Sequence, residues 1–310
     1  LKLIFCGTPE FAVPTLEAVI AAGHEVTLVV TQPDRAAGRK MEVHAPPVKR
    51  AAEAHDISVL QPEKIKNNQE FRERLEAEQA DAILVVAYGR IIPKWMLDLP
   101  RLGCINLHGS LLPKYRGAAP IQWAVANGET LTGVTTMRID EGLDTGPMLL
   151  AEVRSIAPEE TAEDLFQSLA DVGARLMVKT LYELDCGIVR PIEQNHAEAT
   201  LAPILRREDG LIDFARSAQQ IYDRWRGFQP WPGAYTSLRG KKLIVARMHV
   251  AKASGIAPGV LHIVDDAMIT GAGDGTALQF DEVQMEGKKR MSAAEFLRGF
   301  QIQSGERLGS

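Results

Sequence analysis

Through the first 190 residues, strand-length apolar runs alternate with helix-like stretches, and this alternation constrains the fold more tightly than any other feature. The runs "KLIF", "EVTLVV", "AILVVA" and "CINLH" are short and rich in Ile, Leu and Val. Between them, "FAVPTLEAVIAAG", "APPVKRAAEAHD" and "NQEFRERLEAEQA" read as helices. Such a pattern predicts an α/β, Rossmann-like unit, with a largely parallel sheet covered by helices on both faces. "GVTTMRI" and "MLLAEVRSI" then follow with little between them, so part of the sheet is expected to be antiparallel. The clearest helix begins at Thr161. Thr161 and Asp164 have N-terminal capping spacing, Leu165, Leu169, Val172 and Leu176 form a stripe, and Gly187 can end it.

The pattern changes after Gly187. "VRPIEQNHAEATLAP" is polar and weakly periodic, "SAQQIYDRWRGF" reads as a short helix, and five strand candidates follow between Gly, Pro and Asp turns. A smaller OB-like β-barrel is expected there, a form that commonly takes oligonucleotides. The expected division is a catalytic domain over 1–188, a linker over 189–206 and the OB-like domain over 207–310.

Charge and composition exclude several classes. A net charge of −5 gives no global basic field, although a local basic loop could still meet RNA. Cys6, Cys104 and Cys186 have neither a disulfide framework nor metal-site spacing, which fits a reducing cytoplasm. No apolar stretch reaches the ~18 residues of a membrane span, and the first segment reads as a strand, not a signal peptide. No membrane partner and no metal are expected, and the chain is expected to act as a monomer.

The chemistry concentrates in "CINLHGSLLPKYRGAAPIQWA", residues 104–124. In a strand, Asn106 and His108 share one face while Ile105 and Leu107 take the other. The strand stops at "GSLLP", at the carboxyl edge where open α/β sheets bind ligands. An amide donor beside an imidazole can hold a carbonyl oxygen that becomes an oxyanion during acyl transfer. The loop "MRIDEGLDTGPML" offers Asp140, Glu141 and Asp144 as carboxylate partners, and spacing alone leaves the choice among them open. "HGSLL" lacks the nucleophile-elbow pattern and Cys104 reads as buried and inert, so a direct, non-covalent transfer is favoured. The first turn, "FCGTPEF", lacks the glycines of a dinucleotide site. Residues 31–49 carry Arg35, Arg39 and Lys40 beside Gly38, a basic arm suited to phosphate contacts.

With these blocks in hand, the chain resembles the formyltransferases that use 10-formyltetrahydrofolate, more narrowly those acting on methionyl-tRNA. "FCGTPEFA", "TQPDRAAGR", "VVAYGRIIP", "GCINLHGSLLP", "RGAAPIQWA", "GLDTGPML" and "FQPWPGA" carry the likeness over nearly the whole length. The resemblance implies that Asn106, His108 and Asp144 are catalytic. It places Ser110, Leu111, Leu112, Pro113, Tyr88, Ile91 and Asp140 at the folate, with Tyr88 to Pro93 and the 140–144 loop bordering the pterin largely through backbone. It assigns Arg39, Lys40, Arg206 and Arg207 to tRNA. Departures from the family pattern are "GRKMEVH" with Glu42, Ile204 in place of Lys, and Phe214 in place of Trp.

The implied partners are 10-formyltetrahydrofolate as formyl donor and initiator methionyl-tRNA as acceptor. An amino-sugar or ribonucleotide acceptor is the alternative for the same core. A formate-releasing hydrolase, a catalytically idle RNA-binding module and a nicotinamide oxidoreductase are weaker rivals.

Overall fold

The computed structural model describes residues 1–37 and 42–309. The chain divides into two compact units, one of residues 1–120, 131–155 and 165–203, the other of 121–130, 156–164 and 204–310. Among the described residues, no helix is long and apolar enough to cross a membrane.

In the first unit, strands β1 (Lys2–Gly7), β2 (Glu25–Val30), β5 (Val59–Leu60), β6 (Ala82–Val86), β7 (Cys104–His108), β8 (Leu131–Arg138) and β9 (Met148–Ser155) form one sheet, ordered β5-β2-β1-β6-β7-β8-β9. Pairing is parallel from β5 across to β7 and antiparallel for β7–β8 and β8–β9. The first six helices are α1 (Val13–Ala21), α2 (Pro47–Ala54), α3 (Gln69–Glu78), α4 (Lys94–Leu97), α5 (Pro120–Ala126) and α6 (Ala162–Asp185). From Ile121 onward α5 belongs to the second unit, as does the first turn of α6 up to Asp164. The central parallel strands β1 and β6 are buried along almost their full length because helices leave neither face to water. The basic segment after β2 is not a plain loop. It opens with β3 (Arg35–Ala37) and closes with β4 (Glu42–His44), paired antiparallel.

Helix α6 starts and stops as its sequence dictates. The Thr161 hydroxyl accepts from the Asp164 N–H at 3.2 Å while the Asp164 carboxylate accepts from the Thr161 N–H at 2.9 Å. Gly187, at φ +66°, leaves the helix at its far end. Leu165, Leu169 and Leu176 are buried.

The second unit holds α7 (Ala218–Gly227), strands β10 (Tyr235–Leu238), β11 (Lys241–Ala251), β12 (Leu261–Val264), β13 (Ala267–Gly271), β14 (Ala277–Met285), β15 (Met291–Ser292), and α8 (Ala293–Phe300). Its sheet runs β10-β11-β14-β13-β12, antiparallel throughout, with β15 added to β14. Register shifts between Val245 and Met248 mark irregular pairing in β11, the device by which a long strand bends, and the sheet curls into a half-barrel. Its concave core is filled by residues such as Val245, Met248, Leu278, Phe280 and Phe296.

Candidate active site

Strand β7 alternates as the sequence requires. On one face Leu107 meets α6 at Gly173, where a Cβ would come within 2.5 Å of the Leu107 side chain. Only glycine lets the helix lie so close. The other face carries Cys104, Asn106 and His108. Just beyond, Thr135 of β8 pins the Gly-Ser turn, its hydroxyl donating to the Ser110 carbonyl at 2.7 Å and accepting from the Leu112 N–H at 3.2 Å.

His108 is buried, and its Nε2 lies 2.9 Å from the Tyr115 carbonyl. A carbonyl only accepts, so Nε2 carries the hydrogen and Nδ1 is left as the nitrogen that can exchange a proton. Nδ1 faces Asp144 Oδ2 at 3.7 Å, too far for a hydrogen bond but close enough for a charged pair. That carboxylate oxygen also accepts from the Gly117 N–H at 2.8 Å. Of the three acidic residues in the loop, Asp144 is therefore the one brought to His108. Asp140 is turned to its own loop, accepting from Gly142 N–H at 3.0 Å and from the Thr145 hydroxyl. Glu141 meets Lys94 at 3.3 Å. The half-buried Asn106 side chain makes no hydrogen bond among the described residues, so both of its N–H donors are open to a ligand.

A cavity of about 340 Å³ lies at the base of β7 and the end of β8, lined by Lys94, Leu97, Cys104, Arg138, Asp140 and Glu141 among others. It begins two residues before Asn106 on the same strand, in the size range of small-ligand sites. Burial pushes the Cys104 thiol up to about 12, with Asp98 adding to the shift, and its S–H points to the Met96 carbonyl. A thiol held neutral in this way is no nucleophile.

The residues expected at the folate are placed unevenly. Asp140 lines the cavity. Ile91 is 88% exposed, whereas the Tyr88 side chain is in the core and only its backbone faces outward contacts, its carbonyl accepting from Gln32 at 3.0 Å and Thr8 at 3.3 Å. Ser110 is buried, donating to the Lys114 carbonyl at 2.6 Å, and Leu112 is buried beside half-buried Leu111 and Pro113. Arg39 and Lys40 lie outside the described residues. Arg206 and Arg207 are exposed on the second unit. Burial, then the nearby Arg207 charge, lowers the Lys242 ammonium, which sits 3.9 Å over the Tyr235 ring. Among the described residues no cluster of His, Cys, Asp or Glu could hold a metal ion.

Sequence reasoning missed Lys94 and Arg138 at the cavity, and it missed Gln194 entirely. Gln194 is buried, with its amide donating to the Asp144 and Gly146 carbonyls at 2.9 and 2.7 Å. No local pattern could have flagged it, because all of these partners are far away in sequence.

An unpaired amide, an imidazole–carboxylate pair and an adjoining cavity, with no nucleophile among them, fit an α/β enzyme of direct acyl-group transfer. Comparison with known proteins makes the class specific. Residues 1–181 match the family model described as formyl transferase, and residues 204–301 match that of the formyl transferase C-terminal domain. The chain belongs to the formyl transferase family. It is 63% identical to the methionyl-tRNA formyltransferase of Acidobacterium capsulatum, over 100% of both chains. The methionyl-tRNA formyltransferase of Koribacter versatilis is 59% identical over 99% of this chain and 98% of its own. Among solved structures, the N-formyltransferase of Helicobacter canadensis, in complex with folinic acid and dTDP-3-aminofucose, superposes with a TM-score of 0.66 at 18% identity, covering 92% of this chain and 99% of that one.

Proposed function

We propose that this protein transfers the formyl group of 10-formyltetrahydrofolate to the α-amino group of methionine on initiator methionyl-tRNA, acting as a monomer in the cytoplasm. The acceptor rests on the full-length likeness to proteins of that name, at 63% and 59% identity. The chemistry rests on one observation above the rest, the free Asn106 amide two residues from the His108–Asp144 pair.

In this reading the folate occupies the cavity beside Asp140 and directs its formyl carbon toward Asn106. The neutral amine attacks that carbon. A C–N bond forms to the amine, and the carbonyl electron pair becomes an oxyanion. Asn106 donates to that oxygen, an interaction worth about 2.7–4 kcal/mol for one well-placed donor. A proton on His108 Nδ1 adds positive charge at the same place, held by Asp144. As the oxyanion collapses, the bond to N10 breaks, and the proton lost by the amine reaches N10 through Asp144 and His108 or a water. Tyr115, by accepting from Nε2, leaves Nδ1 as the working nitrogen. Arg206, Arg207 and the basic arm bearing Arg39 and Lys40 would hold phosphates without touching the reacting atoms.

Incubation with 10-formyltetrahydrofolate and charged initiator or elongator tRNA, with free methionine as control, tests this directly. Formyl-methionine recovered from the initiator alone is the expected result. Formylation of an amino-sugar nucleotide, unaffected by ribonuclease, would move the acceptor to the alternative class. No folate turnover with any amine would end the proposal.

A further inference from the structure

The polar segment after α6, expected as a linker, is built into the first unit beside the candidate site. Hydrogen bonds tie it to the Tyr115–Ala119 turn, among them one from the Ala119 N–H to the Ala202 carbonyl at 3.2 Å. The Thr200 hydroxyl accepts from the Tyr115 N–H at 2.9 Å, and its carbonyl accepts from the Arg116 N–H at 2.9 Å. The Ala202 N–H donates to the Arg116 carbonyl at 2.7 Å. Gly117, at φ +121°, lies so close to this segment that a Cβ would fall 2.6 Å from the Ala202 carbonyl oxygen. The turn is held in a conformation that L-residues rarely adopt, with Tyr115 at φ +60° and Asp144 opposite at φ +51°.

Gln194 closes this arrangement. Its N–H groups go to the Asp144 and Gly146 carbonyls, and its oxygen accepts from Arg116 Nε at 3.0 Å and Nη2 at 2.7 Å. The amide has one possible orientation, since carbonyls only accept and a guanidinium only donates. One buried side chain thus joins the backbone of Asp144 to Arg116. Arg116 sits between the two backbone groups that hold the site, the Tyr115 carbonyl on His108 and the Gly117 N–H on Asp144.

We propose that Gln194 is a positioning residue that, through Arg116, sets the geometry of the His108–Asp144 pair. It touches no substrate. Its loss frees the Asp144 loop to drift from the turn that fixes His108, and misplacement on the order of 1 Å costs about 100-fold in rate. The proposal takes its catalytic consequence from the function put forward above, but its geometric half does not depend on that reading.

The test uses Gln194→Met, of similar length without hydrogen bonds, and Gln194→Asn, which keeps the amide but falls a methylene short. Both are neutral, so neither adds a charge near His108. Turnover should fall about 10- to 100-fold in Gln194→Met, with KM for the formyl donor within about twofold. The His108 titration, followed by NMR in the free full-length protein, should be displaced in both variants. If Gln194→Met fails to fold, Gln194→Asn carries the test with the same two readouts. A folded variant with wild-type turnover overturns the proposal. So does lowered turnover with a superimposable His108 titration, which would mark a brace that acts only through stability. Should the wild-type protein formylate no acceptor, the functional reading falls while the titration still decides the positioning.

Discussion

Among the described residues each unit buries one arginine, and the two are used differently. In the first unit Arg116 binds Gln194 and approaches His196 Nδ1 at 3.1 Å, and the groups around it stop at a 3.7 Å gap between Asp144 and His108, two residues along the strand from the open Asn106 amide. In the second unit Arg226 binds the carboxylate of buried Asp223, and it donates to the Glu160 carbonyl at 2.7 Å, all within that unit. Asp223 in turn accepts from Gln219 at 2.9 Å and lies against Gly128, where a Cβ would come within 2.9 Å of it. One network runs toward groups with unused hydrogen-bonding capacity, where a ligand can enter. The other ties segments of the chain to α7, and its spare donor, Arg226 Nε, is sealed in the interior where no ligand reaches it. Buried charge alone does not mark a functional site. What distinguishes the two is where the network stops.

The sharpest way to break this contrast is Arg226→Met. Removing one partner of a buried pair leaves Asp223 uncompensated, at about 3–5 kcal/mol. Denaturant unfolding should show that loss, while turnover per folded molecule stays within about twofold. A variant that is stable but slow would put Arg226 in the catalytic account and erase the distinction. A smaller effect is expected on the exposed side of the second unit. Replacing Arg206 and Arg207 together by alanine should raise KM for the charged tRNA and reduce its logarithmic salt slope by about 1 for each phosphate no longer neutralised. Turnover at saturating tRNA should not change. An unaltered salt slope would remove this surface from the RNA interface.

Much of this architecture is legible in the residues themselves. The period-two alternation of "CINLH" fixes which side chains share a face, and so places Asn106 with His108. Thr161 and Asp164 announce the start of α6, and the run of short strands near the carboxyl end announces the antiparallel unit. Other elements are silent. The bend in β11 and the open path of its sheet depend on register, which composition does not encode. Helix α8 carries a capping box at Ser292 and Glu295 that gives a local signal, but it follows a turn too polar to suggest a core element. Arg116 stands out only as a lone Arg-Gly, and Gln194 not at all, because the two are 78 residues apart. Family resemblance singles out Asp144 among three carboxylates. The fold gives a physical reason for that choice, since Asp140 and Glu141 have their own partners.

The central claim is that chemistry resides at the carboxyl end of β7 and nowhere in the second unit. Single-turnover formyl transfer by His108→Ala, with donor affinity measured on the same preparation, tests it most directly. The account predicts a rate lowered by about 100-fold or more with donor Kd within about threefold. Transfer at the wild-type rate in that variant would contradict it.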